Sequence, residues 1–126
     1  MMFRLGVSDH VMIAHSFPDE FFGPAQRMHG ATYGVEIEVR VAELGPHQVV
    51  MDIGLLRTIL RRVLDEIDYR NLDEHPAFAG RFSTSERVAE HIANRVADEI
   101  GALAGSLSVL VRESPVAYAA YERSLG

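Results

Sequence analysis

Two histidines beside two predicted strands are the residues most able to carry chemistry. His15 directly follows a first strand-like segment, and His29 lies three residues before a second. Residues two apart on a strand share a face, so a His-x-His pair and one histidine from a neighbouring strand form the three-ligand, open-position site of a catalytic zinc. The residue two after His29 is Ala31, which cannot coordinate a metal. On their own, the two histidines could equally be polar residues of a pocket or hydrogen-bonded residues of the core.

The composition limits the classes of partner. The chain has 126 residues, a net charge of -6 and no cysteine. We expect one domain over residues 1–126, with no disulfide and no thiolate nucleophile or metal ligand. No basic cluster exists to neutralise phosphates, so we expect a small-molecule partner and neither nucleic acid nor membrane. The N-terminus lacks the apolar region of a signal peptide and no apolar run is long enough to span a membrane, so we expect a cytoplasmic location.

The spacing of apolar residues predicts an α+β fold. Between residues 32 and 44, apolar and polar side chains alternate with the period of a half-buried antiparallel strand. From Ile53 to Ile67 the apolar spacing is that of a helix of about four turns. The full prediction places strands at 3–14, 32–44, 106–113 and 116–122, with helices at 53–67 and from the 83–86 segment to residue 100.

Several polar residues are assigned structural positions. Residues 83–86 have the Ser-x-x-Glu form of a capping box, which explains Thr84 and Glu86 as helix-start residues. Asp52 is predicted to fix the start of the first helix. The remaining histidines outside the first strand are predicted to be loop or solvated helix residues: His47, His75 and His91.

The predicted element order is β-β-α-α-β-β, an antiparallel sheet with two helices on one face. This arrangement leaves the outer strands of the sheet without partners. Proteins commonly resolve such edges by pairing them between subunits. We therefore expect a homo-oligomer.

Six segments, in order over residues 8 to 122, resemble the 6-pyruvoyl-tetrahydropterin synthase family, which includes the 6-carboxy-tetrahydropterin synthases. Two of them correspond to the family's metal-ligand segments, and Ser83-Thr84-Ser85-Glu86 corresponds to its Pro-Thr-Ser-Glu helix start. The segments are Ala14-His15-Ser16, His29-Gly30-Ala31-Thr32-Tyr33, Val50-Met51-Asp52, Ile67-Asp68-Tyr69-Arg70-Asn71-Leu72-Asp73, Ser83-Thr84-Ser85-Glu86 and Val111-Arg112-Glu113.

This resemblance implies the tunnelling fold, in which subunits join edge to edge into barrels. It implies a trimer or a hexamer of two trimers, with active sites at subunit interfaces. It also implies that His15 and His29 are zinc ligands if zinc is retained. Glu113 matches the carboxylate that holds the amino-pyrimidinone edge of a pterin through two parallel hydrogen bonds. The alternative for Glu113 is a surface glutamate at a strand end.

The chain departs from the family at the positions that carry its chemistry. Ala31 replaces the third ligand, and the family's catalytic cysteine would fall within residues 23–27, where no thiol exists. Tyr69 replaces the histidine of the proton-relay pair, although Asp68 remains. We therefore expect no cofactor and no firmly bound zinc. The alternative is a replacement ligand from His10, Asp19 or Glu20.

These departures favour a diverged enzyme that performs zinc-independent acid–base chemistry on a small carbonyl-bearing or heterocyclic substrate. Lyase, isomerase, aldol-type and cyclisation reactions all fit, because each moves a proton next to a carbonyl. His15 or His29 would act as base, with Asp68 and Tyr69 as orienter and acid; Tyr69 could equally fill the space left by zinc and histidine. A specialised biosynthetic pathway would suit such a divergence.

Two further functions stay open. The first is a non-catalytic oligomer that binds a pterin or another small molecule. The second is a zinc-dependent tetrahydropterin synthase with a rearranged metal site, against which the joint loss of ligand, thiol and relay histidine argues.

Overall fold

The computed structural model describes residues 1–126 as a five-stranded sheet covered on one face by two helices. The sheet order is β3-β1-β2-β4-β5, and every neighbouring pair is antiparallel except β1 and β3. The strands are β1 Phe3–His15, β2 His29–Val41, β3 Arg70–Asn71, β4 Gly105–Ser114 and β5 Ala117–Ser124, and the helices are α1 Ile53–Asp65 and α2 Ser85–Ile100.

The core lies between the sheet and the helices. In β2, alternate residues from Tyr33 to Val41 are buried, as the period of two predicted. The helices α1 and α2 pack on this same face, α1 against β1 and α2 against β4 and β5. The apolar residues of each helix recur at helical spacing, so a single stripe of each is buried.

The two helices begin at different kinds of cap. Asp52 accepts a hydrogen bond from the backbone N–H of Gly54 and caps α1, as predicted. The cap of α2 is Thr84, whose hydroxyl accepts from the backbone N–H of Arg87. The predicted capping box was therefore wrong in its first residue: Ser83 lies one position before the cap, and its side chain is free for another contact.

The connection between the helices contains structure that the sequence pattern missed. Residues 70–71 form the short strand β3, which pairs in parallel with Ile13 and Ala14 of β1. Two 3-10 turns follow, at Leu72–Glu74 and Pro76–Phe78. Segments this short carry no apolar period, so the prediction of an irregular loop missed them.

The outer edges of the sheet are open over most of their length. Beside β1, the strand β3 covers only Ile13 and Ala14, so residues 3–10 have β2 as their only partner. On the other side, β5 pairs only with β4. These open edges are the feature from which association between subunits was expected. Neither helix has the length and apolar character needed to cross a membrane.

Candidate functional site

The two predicted site histidines lie opposite each other where β1 ends and β2 begins. His15 pairs with His29 in the β1–β2 ladder, and their ring centroids are 4.6 Å apart in an edge-to-face arrangement. Both rings lie on the helix-covered face. Ala31 follows on the same face opposite Ile13, so a ligand at position 31 would have joined the pair.

Both imidazoles are oriented by hydrogen bonds at Nδ1. The Nδ1 of His15 lies 3.0 Å from the backbone oxygen of Ser83 and 3.0 Å from its hydroxyl, and the Nδ1 of His29 lies 2.8 Å from the backbone oxygen of Arg27. A carbonyl oxygen only accepts, so each neutral ring carries its proton on Nδ1 and leaves Nε2 unprotonated. Metal-binding histidines show the same pattern of support, with the second nitrogen bonded to a carbonyl or carboxylate.

Burial keeps His15 neutral. Its side chain is 2% exposed, and this desolvation lowers its pKa, as does the neighbouring His29. The Ser83 carbonyl, Asp73 and Glu113 raise the pKa in part without reversing the shift. At neutral pH, His15 is therefore an uncharged imidazole with a free Nε2.

Aromatic side chains enclose the pair. Phe17 lies 4.5 Å from His15 between ring centroids, and Phe22 and Phe82 pack on Phe17. His29 stays partly exposed. A ligand therefore reaches the pair from the side of His29, while His15 lies behind it.

A second polar network lies beside the histidines at the start of α2. The hydroxyl of Ser85 donates to Glu113 Oε1. Tyr33 is buried, which raises its pKa to about 12, so it is a neutral phenol in the physiological range. Its ring centroid lies 6.3 Å from that of His15. Glu113 also lies close enough to His15 for its carboxylate to raise the pKa of that imidazole.

A cavity of about 620 Å³ adjoins this region. Ser16 and Asp73 form one wall, joined by two hydrogen bonds from the Ser16 backbone N–H and hydroxyl to the Asp73 carboxylate. Phe82 and Thr84 line another part. The cavity therefore begins one residue beyond His15 and extends to the start of α2.

Asp68 and Tyr69 lie elsewhere in the same chain. The Asp68 carboxylate accepts from the Met12 backbone N–H and from Arg61, both at 2.9 Å, so it joins α1 to β1. The Tyr69 N–H donates to the Met12 oxygen at 2.7 Å, its φ is 58°, and its side chain is 80% exposed. Within one chain, Tyr69 therefore neither fills the space beside Ala31 nor contacts the histidine pair.

The residues present do not fit a three-ligand zinc site. The structure contains no group of three or more His, Cys, Asp or Glu residues that could hold a metal ion. None of the three residues considered as replacement ligands belongs to such a group: His10 is exposed beside Asp9, Asp19 caps the 3-10 helix Glu20–Gln26, and Glu20 begins it. That helix and its C-cap Arg27 include residues 23–27, the predicted position of the family's cysteine. Two imidazoles with free Nε2 atoms remain.

Comparisons with known proteins agree with this architecture. A sequence model of the family described as 6-pyruvoyl tetrahydropterin synthase matches residues 4–124. The chain belongs to this family. The Bacillus subtilis 6-carboxy-5,6,7,8-tetrahydropterin synthase is 28% identical over 131 aligned residues, which cover 98% of this chain and 88% of the relative.

Solved structures of the 6-pyruvoyl tetrahydropterin synthase family have the same fold. The Caenorhabditis elegans enzyme superposes with a TM-score of 0.83 at 26% identity, covering 98% of this chain and 97% of the other. The Plasmodium vivax enzyme has a TM-score of 0.79 at 19% identity, covering 98% and 99%. The predicted tunnelling fold is thus confirmed.

Three site residues were missed as functional residues in the sequence. Ser83 and Ser85 were read as part of a helix cap, and Tyr33 as a strand residue within the family's second metal-ligand segment. Ser83 and Ser85 flank the cap Thr84, and this spacing turns both side chains towards the strand ends. The prediction for His91 was also wrong, because its Nε2 is buried rather than solvated.

Proposed function

We propose that the chain is a diverged member of the 6-pyruvoyl tetrahydropterin synthase family that moves a proton next to a carbonyl of a small, planar substrate without zinc. The observation that carries this proposal is the pair His15 and His29, two imidazoles whose Nδ1 atoms are held and whose Nε2 atoms are free. A neutral imidazole with a free nitrogen is a general base at neutral pH. The substrate class follows from Glu113, whose carboxylate suits a planar N–C–N edge.

Within this proposal the two histidines have different roles. His29 is the partly exposed ring and meets the substrate, so it is the proposed base. His15 is buried behind it and uncharged at neutral pH, with the two ring centroids 4.6 Å apart. A lyase, isomerase, aldol or cyclisation reaction would each use this arrangement.

We assign Asp68 and Tyr69 to the site of a neighbouring subunit. The backbone at Asp68 and Tyr69 is held in place by two hydrogen bonds to the backbone of Met12 and by the Asp68–Arg61 ion pair. The phenol of Tyr69 nevertheless projects into solvent. A firmly held segment with an exposed phenol suits a contact between two chains. The resemblance to a family with interface active sites supports the same assignment, and with it a trimeric or hexameric assembly in the cytoplasm.

Disulfide trapping tests the assignment of Tyr69. The chain has no cysteine, so a Tyr69→Cys chain mixed with a Met28→Cys chain can form only engineered disulfides. Met28 is exposed and precedes His29. We expect a mixed disulfide in the assembled protein, because bridged Cα atoms must lie within about 7 Å. A Tyr118→Cys chain, which also replaces an exposed tyrosine, is the control. Absence of the Tyr69–Met28 disulfide, or equally efficient cross-linking of the Tyr118→Cys chain to the Met28→Cys chain, would remove Tyr69 from the site.

Solvent exchange tests the acid–base proposal without knowledge of the natural substrate. Purified protein is incubated in D₂O with pterins that carry a carbonyl side chain, and deuterium uptake next to the carbonyl is followed by NMR. We expect uptake that His29→Asn lowers by about 100-fold, since general acid–base catalysis contributes about 10² to 10⁴. His10→Asn changes an exposed histidine of β1 and is the matched control. Uptake that is equal in all three proteins would contradict the proposal.

A non-catalytic small-molecule binder is the second candidate. The observation in its favour is the enclosure of His15 by Phe17, His29 and Tyr33, which leaves only 2% of its side chain exposed. A binder of this kind would hold a pterin through Glu113 and show no exchange. The two candidates differ in the exchange experiment and agree in pterin binding.

A zinc-dependent synthase remains the least favoured candidate. The carbonyl support of both Nδ1 atoms is the pattern of metal-binding histidines, but Ala31 supplies no third ligand. This candidate requires stoichiometric zinc and chelator-sensitive lyase activity on dihydroneopterin triphosphate.

A further inference from the structure

The connection between α1 and α2 supports His15 from outside the strands. Asp73 binds Ser16, the residue after His15, and Ser83 binds the His15 ring itself. Both supports belong to residues 72–84, which we call the strap. The position of His15 therefore depends on how firmly the strap is held against the helices.

His75 is the residue that fastens the middle of the strap. Its Nδ1 accepts a hydrogen bond from the Ala77 backbone N–H at 3.1 Å, which caps the 3-10 turn Pro76–Phe78. Its Nε2 lies 3.2 Å from the backbone oxygen of Glu66, the C-cap of α1. One imidazole thus joins the strap to the end of α1.

Both contacts require a neutral ring with its proton on Nε2. The Ala77 N–H can only donate, so Nδ1 must offer a lone pair, and the Glu66 carbonyl can only accept, so Nε2 must carry the hydrogen. An imidazolium carries hydrogens on both nitrogens. Protonation would therefore set two N–H groups against each other at Ala77 and remove the cap.

We propose that neutral His75 is a positioning residue that latches the strap, and that a second proton on its ring releases residues 72–84 and with them the support of His15. The latch adds to the proposed function and does not depend on it, because the two contacts of His75 with Ala77 and Glu66 are structural.

The groups around His75 limit how well a charged ring could be tolerated. From α2, His91 lies 6.0 Å away between ring centroids, and its Nε2 is buried without a hydrogen-bond partner in the chain. Phe78 packs against both rings. The nearby charges are the Glu66 carboxylate of α1 and Arg95 of α2, which already bind each other through two contacts of 3.0 and 2.8 Å. Protonation would therefore place a positive charge on a ring that packs against Phe78 and His91.

Hydrogen exchange of the full-length protein tests the latch. Exchange of peptides from residues 72–84 is measured at pH 7.5 and pH 5.5, corrected for the intrinsic pH dependence, with circular dichroism to follow the global fold. The informative variant is His75→Asn, because asparagine is a strong N-cap that accepts from Ala77 and does not titrate. His10→Asn is the control, since it removes an exposed histidine outside the strap.

In the unmodified chain and in His10→Asn, we expect corrected exchange in the strap to rise roughly tenfold at pH 5.5, about the effect of one or two lost hydrogen bonds. In His75→Asn, the rise at pH 5.5 should be clearly smaller, because only His15 and His91, which contact Ser83 and Phe78 of the strap, still respond to acid. In His75→Ala, the strap should exchange fast at pH 7.5 as well as at pH 5.5, because the Ala77 N–H has no acceptor at either pH. This variant shows the effect of losing the latch without a change in pH. If strap exchange in the unmodified chain is independent of pH, or if His75→Asn responds to acid as the unmodified chain does, the latch is excluded.

Discussion

At the scale of residues, the site combines retained supports with a missing ligand. The carbonyls of Ser83 and Arg27 hold the two Nδ1 atoms, and the ring centroids of His15 and His29 lie 4.6 Å apart. The residue that would complete a zinc site is Ala31. This combination leaves two imidazoles where a metal centre would need three ligands.

Glu113 gives a prediction about ligand binding. Glu113→Gln removes the charge while keeping the shape, and a pterin would lose one of its two charge-assisted hydrogen bonds. A hydrogen bond to a charged group contributes about 1.5–3 kcal/mol, so we expect pterin affinity to fall roughly 10- to 100-fold in calorimetric titration. Glu122→Gln alters an exposed glutamate of β5 and should leave the affinity unchanged. Equal affinity of all three proteins would argue against a pterin at Glu113.

At the scale of elements, the sequence predicted the long segments and missed the contacts between them. The strands and helices were found because burial of one face imposes a period of two or of 3.6. The strand β3 and the role of Ser83 were missed, since a two-residue strand has no period and a serine before a helix looks like a cap. The sequence pattern also could not predict where Tyr69 lies, because that position depends on the pairing of Arg70 with Ile13.

The cap of α2 gives a prediction about stability. Thr84→Ala removes the acceptor for the Arg87 N–H, so we expect the free energy of unfolding to fall by about 1 kcal/mol. Thr58→Ala is the control, because Thr58 lies inside α1 and its hydroxyl only bonds the carbonyl of Gly54. Urea unfolding at a fixed protein concentration measures both. A larger loss for Thr58→Ala than for Thr84→Ala would contradict the assignment of the cap.

At the scale of the whole molecule, two open sheet edges and an exposed Tyr69 favour an assembly whose sites are completed between chains. The same core that orders each chain also buries ionisable groups, so the stability of the protein depends on pH. His15 and His91 both have pKa values lowered by burial and by a neighbouring histidine.

The pH dependence of stability follows from these two histidines. Their folded-state pKa values lie below the ordinary value near 6.5, so the unfolded chain binds more protons as the pH falls. Their contribution is complete above about pH 6.5 and is lost progressively below it. We expect the unfolding midpoint in urea to drop between pH 7.5 and pH 5.5. The drop should shrink in His91→Phe, which removes one titrating group, and an identical drop would exclude His91 as its source.

Zinc binding by the unmodified chain and by Ala31→His tests the central claim most directly. Loss even of a residue that only supports a ligand costs about 10- to 100-fold in metal affinity, so the loss of a ligand should cost at least on the order of 100-fold. We predict that calorimetry finds one tight zinc per chain in Ala31→His and binding weaker by at least this factor in the unmodified chain. Tight, stoichiometric zinc in the unmodified chain, unaffected by Ala31→His, would show that another residue completes the metal site and would contradict the zinc-independent account.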